Sequence, residues 1–236
     1  MSSSGREFRA ELLLLLAAAI WGFAFVAQRV GMGSVGPFTF NAVRCALGSL
    51  ALLPLVVFRR KKAAAEPAIA LRRPSLGKRA LYALIAGSVL FGGSSLQQLG
   101  LVTTTAGNAA FITSLYVVLV PILGALMGRK IGARGWIAAA LAVSGLYLIS
   151  VKGGLSVSPG DLLELVGAFF WAAHIIVIGR LAPKTDPVEL SAGQFAVAAL
   201  WSLVAALFSE PHPLSEAWAS GLSGALLPIL YAGILS

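Results

Sequence analysis

IWGFAFVAQRVGMGSVGPFTFNAVRCALGSLALLPLVVF, residues 20–58, returns 150 positions later as FWAAHIIVIGRLAPKTDPVELSAGQFAVAALWSLVAALF, residues 170–208, without a gap. Trp21 falls on Trp171, Pro37 on Pro187 and Phe58 on Phe208, and Ala42, Ala46, Leu50 and Leu53 also meet identical partners. Seven matches in 39 is a thin total in a chain rich in Ala and Leu. The Trp and Pro matches carry more weight because both residues are rare. Each copy is a pair of apolar runs, so the repeated unit is one of membrane-length helices.

Composition points the same way. The chain is 58% hydrophobic and 11% charged, with mean hydropathy +0.89, where a soluble domain carries about 25% charged residues. Eight apolar runs stand out: 12–30, 37–58, 80–101, 106–127, 135–151, 162–181, 188–208 and 219 to the last residue. About 20 apolar residues cross the hydrocarbon core as a helix. Backbone groups there must be satisfied within the segment, so the runs are expected to be α-helical. The fold class is an all-α polytopic membrane bundle. The first run has basic residues, Arg6 and Arg9, before it and Ala17-Ala18-Ala19 within it, as a signal peptide would. It continues to Val26 without a polar start, so it reads as an uncleaved first helix.

The net charge of +9 suggests nucleic acid until the charges are placed. With the N-terminus inside, the cytoplasmic segments hold Arg6 and Arg9, then Arg59–Lys62, Arg72, Arg73, Lys78 and Arg79. Arg129, Lys130, Arg134, Arg180 and Lys184 complete 15 of the 18 basic residues. The other face holds Arg29 and Lys152, and Arg44 lies within the second run. That asymmetry is the positive-inside pattern. The expected partners are therefore membrane lipid and a small-molecule substrate, with no nucleic acid. Cys45 stands alone in an apolar run, so neither a disulfide nor a Cys-based metal site can be built, and no cofactor is called for.

The first run corresponds to the sixth, so each unit has five helices. An odd number makes the second unit enter the bilayer from the opposite face. The expected organisation is an inverted repeat: a first unit over 1–152 and an incomplete second over 153–236. Such symmetry supports two conformations, each open to one side. Two five-helix units require ten helices. About seven and a half are present, so relative to that plan the sequence is expected to be C-terminally truncated.

Trp21-Gly22, the stretch from Pro37 to Arg44, and Thr103 through Phe111 (TTTAGNAAF) carry a resemblance to the drug/metabolite transporter superfamily, in its EamA-type permease branch. Leu115, Pro121 and Gly124 continue it, as does Trp136 through Leu148. The resemblance implies ten helices in two inverted units, located in the cytoplasmic membrane. It also implies export of small metabolites, often amino acids or related compounds. Three departures stand against the pattern. Arg129-Lys130 replaces an acidic residue followed by a base, His174 stands where an aromatic is common, and the last helices are absent.

Polar residues inside a membrane are expensive and often functional. Trp21 and Gln28, seven residues apart, share a face of the first run, and Trp171 is the repeat partner of Trp21. Two aromatics related by pseudo-symmetry can line a central cavity; helix packing is the competing reading. Gln97, Gln98 and Asn108 approach one level across a short turn and offer amides to a polar solute or to neighbouring helices. Tyr116 precedes Pro121, which removes a helical hydrogen bond and can kink the fourth run. His174 can titrate, but no carboxylate is apparent at its depth. Every acidic residue reads as lying in a loop or near a helix end, which leaves no Asp or Glu for a proton relay. Arg44 can meet a substrate carboxylate or snorkel outward. The candidate substrate-binding set is Trp21, Gln28, Gln97, Asn108, Tyr116, Trp171 and His174.

The reading is therefore a metabolite carrier working by alternating access, and not an enzyme. No HExxH, no GxSxG and no phosphate-cradling glycine loop is present. A membrane fragment or helper subunit that does not transport is the main alternative, and a membrane-embedded enzyme the lesser one.

Overall fold

A computed structural model describes residues 3–65, 74–128, 132–152, 158–210 and 215–236. Glu66, Arg72, Arg73, Arg129 and Lys130, and the start of the second unit at 153, lie outside the described residues. The helices are α1 Ser3–Gly31, α2 Pro37–Ala65, α3 Leu76–Thr103, α4 Ala106–Thr113, α5 Tyr116–Leu126 and α6 Ala133–Lys152. They continue with α7 Pro159–Leu181, α8 Pro187–Ser209, α9 Glu216–Gly224 and α10 Leu226–Leu230. A π turn over Tyr231–Leu235 follows. No strand occurs among the described residues.

Among the described residues, six helical segments are long and apolar enough to cross a membrane: Ala10–Gly31, Pro37–Lys62, Leu76–Thr103, Ala106–Leu126, Pro159–Lys184 and Pro187–Ser209. The fifth and eighth runs of the sequence are helical too, with shorter apolar stretches, Gly135–Gly145 and Leu226–Leu235. The molecule is a multi-pass membrane helix bundle. The fourth run is interrupted at Ser114–Leu115, between α4 and α5, and Pro121 lies inside α5. The chain tightens there through bonds of Val117 N–H to Ser114 C=O (3.0 Å) and Val118 N–H to Leu115 C=O (2.9 Å).

Caps set the ends. Pro37 and Pro187, matched in the repeat, each open a helix, where a missing N–H costs nothing. Asp186 caps α8 by accepting from the amides of Val188 (2.9 Å) and Glu189 (3.0 Å). Ser158 and Asp161 form a reciprocal capping box at the start of α7.

The bundle is turned inside out relative to a soluble protein. Leu12–Leu16, Leu55, Leu148, Leu207 and Phe208 face outward, while Gln28, Asn41, Ser94, Gln97, Gln98 and Ser202 are buried. The interior is rich in alanine, including Ala86, Ala168, Ala172 and Ala198, and small residues let helices approach closely where lipid supplies no hydrophobic drive. The tightest seams are α2 against α8 and α3 against α7, with α3 also on α8 and α4 and α5 on α7. α1 touches α10, the π turn, α3 and α4, and its span is only 6% buried.

Glycines make the α3–α7 seam. A methyl group at Gly160 would run into the Gly100 carbonyl, and one at Gly167 would stand 3.4 Å from Leu96 Cβ. With no side chain at these points the two backbones come into direct contact. That contact brings the polar side chains of α3 onto α7.

Candidate functional site

Two buried polar clusters lie along the α3 interior. In the first, Gln28 of α1 presents Oε1 to two amides of α3: Gln97 Nε2 donates at 3.0 Å and Gln98 Nε2 at 2.6 Å. Gln97 Oε1 in turn accepts the indole N–H of Trp171 on α7 at 3.1 Å. Gln28 is 3% exposed, Gln97 5% and Gln98 0%, and among the described residues Gln98 Oε1 has no hydrogen-bond partner. This network joins three helices and leaves one amide oxygen available to a further donor.

Trp171 leads on to His174. Their rings meet edge to face, with centroids 6.0 Å apart and planes at 88°. The imidazole Nε2–H donates to Gln194 Oε1 on α8 at 2.9 Å. The second cluster centres on Asn41 of α2. Its Nδ2 donates to Ser94 Oγ (3.0 Å) on α3 and to Ser202 Oγ (2.7 Å) on α8, and its Oδ1 accepts from Arg44 Nε at 2.9 Å. Ser94 and Gln97 are three residues apart on α3, so the two clusters adjoin along one helix face.

Of the seven residues expected from sequence, Gln28, Gln97, Trp171 and His174 come together. The other three stand apart from them. Trp21 shares the face of Gln28 by spacing but is 56% exposed, because the buried positions of α1 are Ala24, Gln28 and Gly31, in its last two turns. Asn108 is exposed in the first turn of α4, where its amide N–H donates to the capping hydroxyl of Thr105 at 3.1 Å. Tyr116 is half-buried at the start of α5.

Sequence reasoning missed Asn41, Ser94 and Ser202, each fully buried. A polar residue in an apolar run was the available signal; which face it took depended on helix packing. It also missed the burial of Glu164. This residue lies near a helix end, as the sequence indicates, yet it is 0% exposed and inside the α7 span. Its Oε2 accepts from Thr113 Oγ1 at 2.8 Å. One turn nearer the helix start, Asp161 Oδ1 accepts from Thr104 Oγ1. Arg29 donates to the carbonyls of Leu101 and Thr104, closing the end of α3.

A bundle of apolar spans with buried amides, hydroxyls and an indole at its centre defines a membrane protein with a polar interior. Residues 8–151, more than half of the chain, match the model of the EamA-like transporter family. The chain belongs to that family, within the drug/metabolite transporter superfamily. An uncharacterized transporter of Archaeoglobus fulgidus is 33% identical over 194 residues, covering 81% of this chain and 56% of that protein. The chain thus spans about half the length of this relative. An uncharacterized transporter of Synechocystis is 26% identical over 241 residues, covering 93% of this chain and 70% of that one. A solved crystal structure superposes with TM-score 0.60 at 20% identity, over 95% of this chain and 80% of that chain, a likeness of fold.

Proposed function

We propose that the protein is a carrier that moves a small metabolite across the cytoplasmic membrane by alternating access, exporting amino acids or related compounds. The observation that carries this reading is the Gln28–Gln97–Gln98–Trp171 network, with His174 beside it. Desolvated amides are costly in a membrane and are retained where they are used. Amide donors and acceptors next to aromatic faces suit a small polar solute with an apolar part. Gln28, Gln97, Trp171 and His174 make the central contacts. Trp21, Asn108 and Tyr116 are the peripheral ones, reached as the helices rock.

Two inverted units, 1–152 and 153–236, supply the motion. Helix pairing supports them. α2 packs against its own repeat counterpart α8, while α3 packs on α7 as the segment from α10 onward packs on α1. Exchange of the two units maps the α2–α8 seam onto itself and the α3–α7 seam onto that of α10 with α1. The family match ends at 151, next to the proposed boundary. The basic end of the bundle is cytoplasmic, which puts the N-terminus inside.

The test is purified protein in liposomes, loaded with a panel of radiolabelled amino acids and assayed for efflux and counterflow. Gln97→Ala is expected to lower flux about tenfold, equivalent to roughly 1.4 kcal/mol of lost substrate contact. Trp21→Ala and Asn108→Ala should lower it without abolishing membrane insertion. If the purified protein moves no solute of the panel, the carrier reading fails. If Gln97→Ala keeps wild-type flux, the network is not the binding site.

A further inference from the structure

Glu164 is an acidic side chain sealed inside the span of α7 with half of its carboxylate unused. Oε2 accepts from Thr113 Oγ1 at 2.8 Å, and Oε1 has no hydrogen-bond partner among the described residues. Oε1 faces Gly100 of α3, where a methyl group would stand 2.9 Å away. Among the described residues no cation pairs with it. α3 carries its charges, Lys78 and Arg79, at the other end, and α4 and α5 have none. On α1, Arg29 is engaged with the carbonyls of Leu101 and Thr104. On α7 itself, Asp161 already accepts from Thr104 and from the Ser158 amide at 2.8 Å.

We propose that Glu164 is a proton-binding site that couples movement of the bundle to a proton gradient. A proton arrives from the end of the bundle where Asn108 is exposed, passes the Asp161–Thr104 pair and forms an O–H bond at Glu164 Oε1. The carboxylate becomes a neutral acid. When the helices rock and water reaches the group from the other side, that bond breaks, the proton passes to water, and the carboxylate is regenerated. An ionised carboxylate without a counter-ion is far more costly to bury than the neutral acid. The bound proton therefore biases the equilibrium between the sealed conformation and one that wets Glu164. Geometry ties this to the polar network. Trp171 lies seven residues after Glu164 on the same face of α7, and Gln97 lies three residues before Gly100 on α3. Sliding α3 along α7 to wet Glu164 also shifts the Gln97–Trp171 bond.

The proton site is used only if the carrier reading holds, so the test separates them. Infrared difference spectra of the protein in liposomes, titrated from about pH 5 to about pH 9, report protonated carboxylic acids directly. The expected result is a carbonyl band from an acid in dry surroundings that titrates in this range. It should be lost in Glu164→Gln and kept in Asp161→Asn. Absence of the band, or its survival in Glu164→Gln, overturns the proposal. If Glu164→Gln does not insert, Thr113→Val carries the test, because loss of the hydroxyl at Oε2 must move the midpoint; an unmoved midpoint overturns it. In flux, Glu164→Gln should keep amino-acid counterflow within about twofold of wild type and lose the acceleration given by an imposed pH gradient. Gradient-driven flux that survives the substitution sinks the coupling. A titrating band in a protein that moves no solute sinks the carrier reading and leaves the proton site standing.

Discussion

Arg59 Nη1 stands 3.1 Å from Asp186 Oδ2, tying the end of α2 to the residue that caps α8. Beside this pair, Glu189 receives Arg60, and Arg79 at 2.6 Å, from α2 and α3. The acidic groups sit in the first turn of α8, where the helix dipole favours them. At the far end, Glu210 beyond α8 accepts from the amides of Phe38 (2.6 Å) and Thr39 (2.9 Å), which open α2. α2 and α8 are thus antiparallel and fastened at both ends. The segments after α2 and before α8 must lie at one end of the bundle.

That relationship predicts labelling. Single cysteines at Lys61→Cys and Lys184→Cys, in a Cys45→Ala background, should react with an impermeant thiol reagent from the same side of the membrane. Cysteine at Gly33, in the α1–α2 turn, should react from the other side. Labelling of positions 61 and 184 from opposite sides would break the α2–α8 pairing and the inverted units with it.

Asp186 gives a pH dependence. Burial would raise its pKa, but the amides of Glu189 and Val188 and the Arg59 guanidinium outweigh burial and hold the carboxyl below its ordinary value. A depressed folded pKa means that the carboxylate stabilises the fold above about pH 4, the ordinary value for an unfolded aspartate. That contribution is lost as pH falls through the lower folded value. Asp186→Ala, which also removes the cap, should cost about 1 kcal/mol near neutral pH. Asp186→Asn should cost less, because asparagine caps nearly as well. The gap between wild type and Asp186→Asn in thermal unfolding should narrow on acidification. A gap that widens as pH falls contradicts the ion pair.

The indole N–H of Trp171 donates to Gln97 Oε1 at 3.1 Å. Trp171→Phe keeps a ring on α7 and removes that donor, stranding a buried acceptor at a cost of about 1–3 kcal/mol. Gln97→Leu in the same background should recover part of the loss, because it replaces the stranded group with an apolar one. Unfolding of the two single variants and the double variant in detergent gives the coupling. Strict additivity would show that the two side chains do not interact.

Much of this architecture can be read from the chain before folding. Starts of helices are legible where a chemical device marks them: Pro37, Pro187 and the Ser158–Asp161 box. The spacing of apolar runs marks the spans, and the Arg59–Asp186 pair brings the segments after α2 and before α8 to one end of the bundle. Four of the seven expected site residues converge. What remained hidden depends on how deeply each helix is buried. Spacing put Trp21 and Gln28 on one face, but only packing leaves the first exposed and the second sealed. Glu164, five residues after Pro159, is about 8 Å along its helix at 1.5 Å per residue. A carboxylate at that depth reads as wet until α3 and α4 are seen to cover it.

In the α3–α7 seam glycine serves contact rather than conformational freedom. A Cβ at Gly160 would meet the Gly100 carbonyl and, at 2.9 Å, the Thr104 amide nitrogen, backbone atoms that cannot rotate away. Gly160→Ala must push the helices apart, costing about 1–3 kcal/mol by overpacking. The displacement would also stretch the Thr104–Asp161 bond. Gly22 sits in α1 with nothing within 4 Å of the added atom, so Gly22→Ala is expected to be neutral or to stabilise by about 0.5–1 kcal/mol through helix propensity. Both substitutions add one methyl group to a helix, and intrinsic propensity favours both. Opposite signs in thermal unfolding would isolate the backbone contact. If Gly160→Ala stabilises as Gly22→Ala does, α3 and α7 are not in contact there, and the burial of Glu164 loses its support.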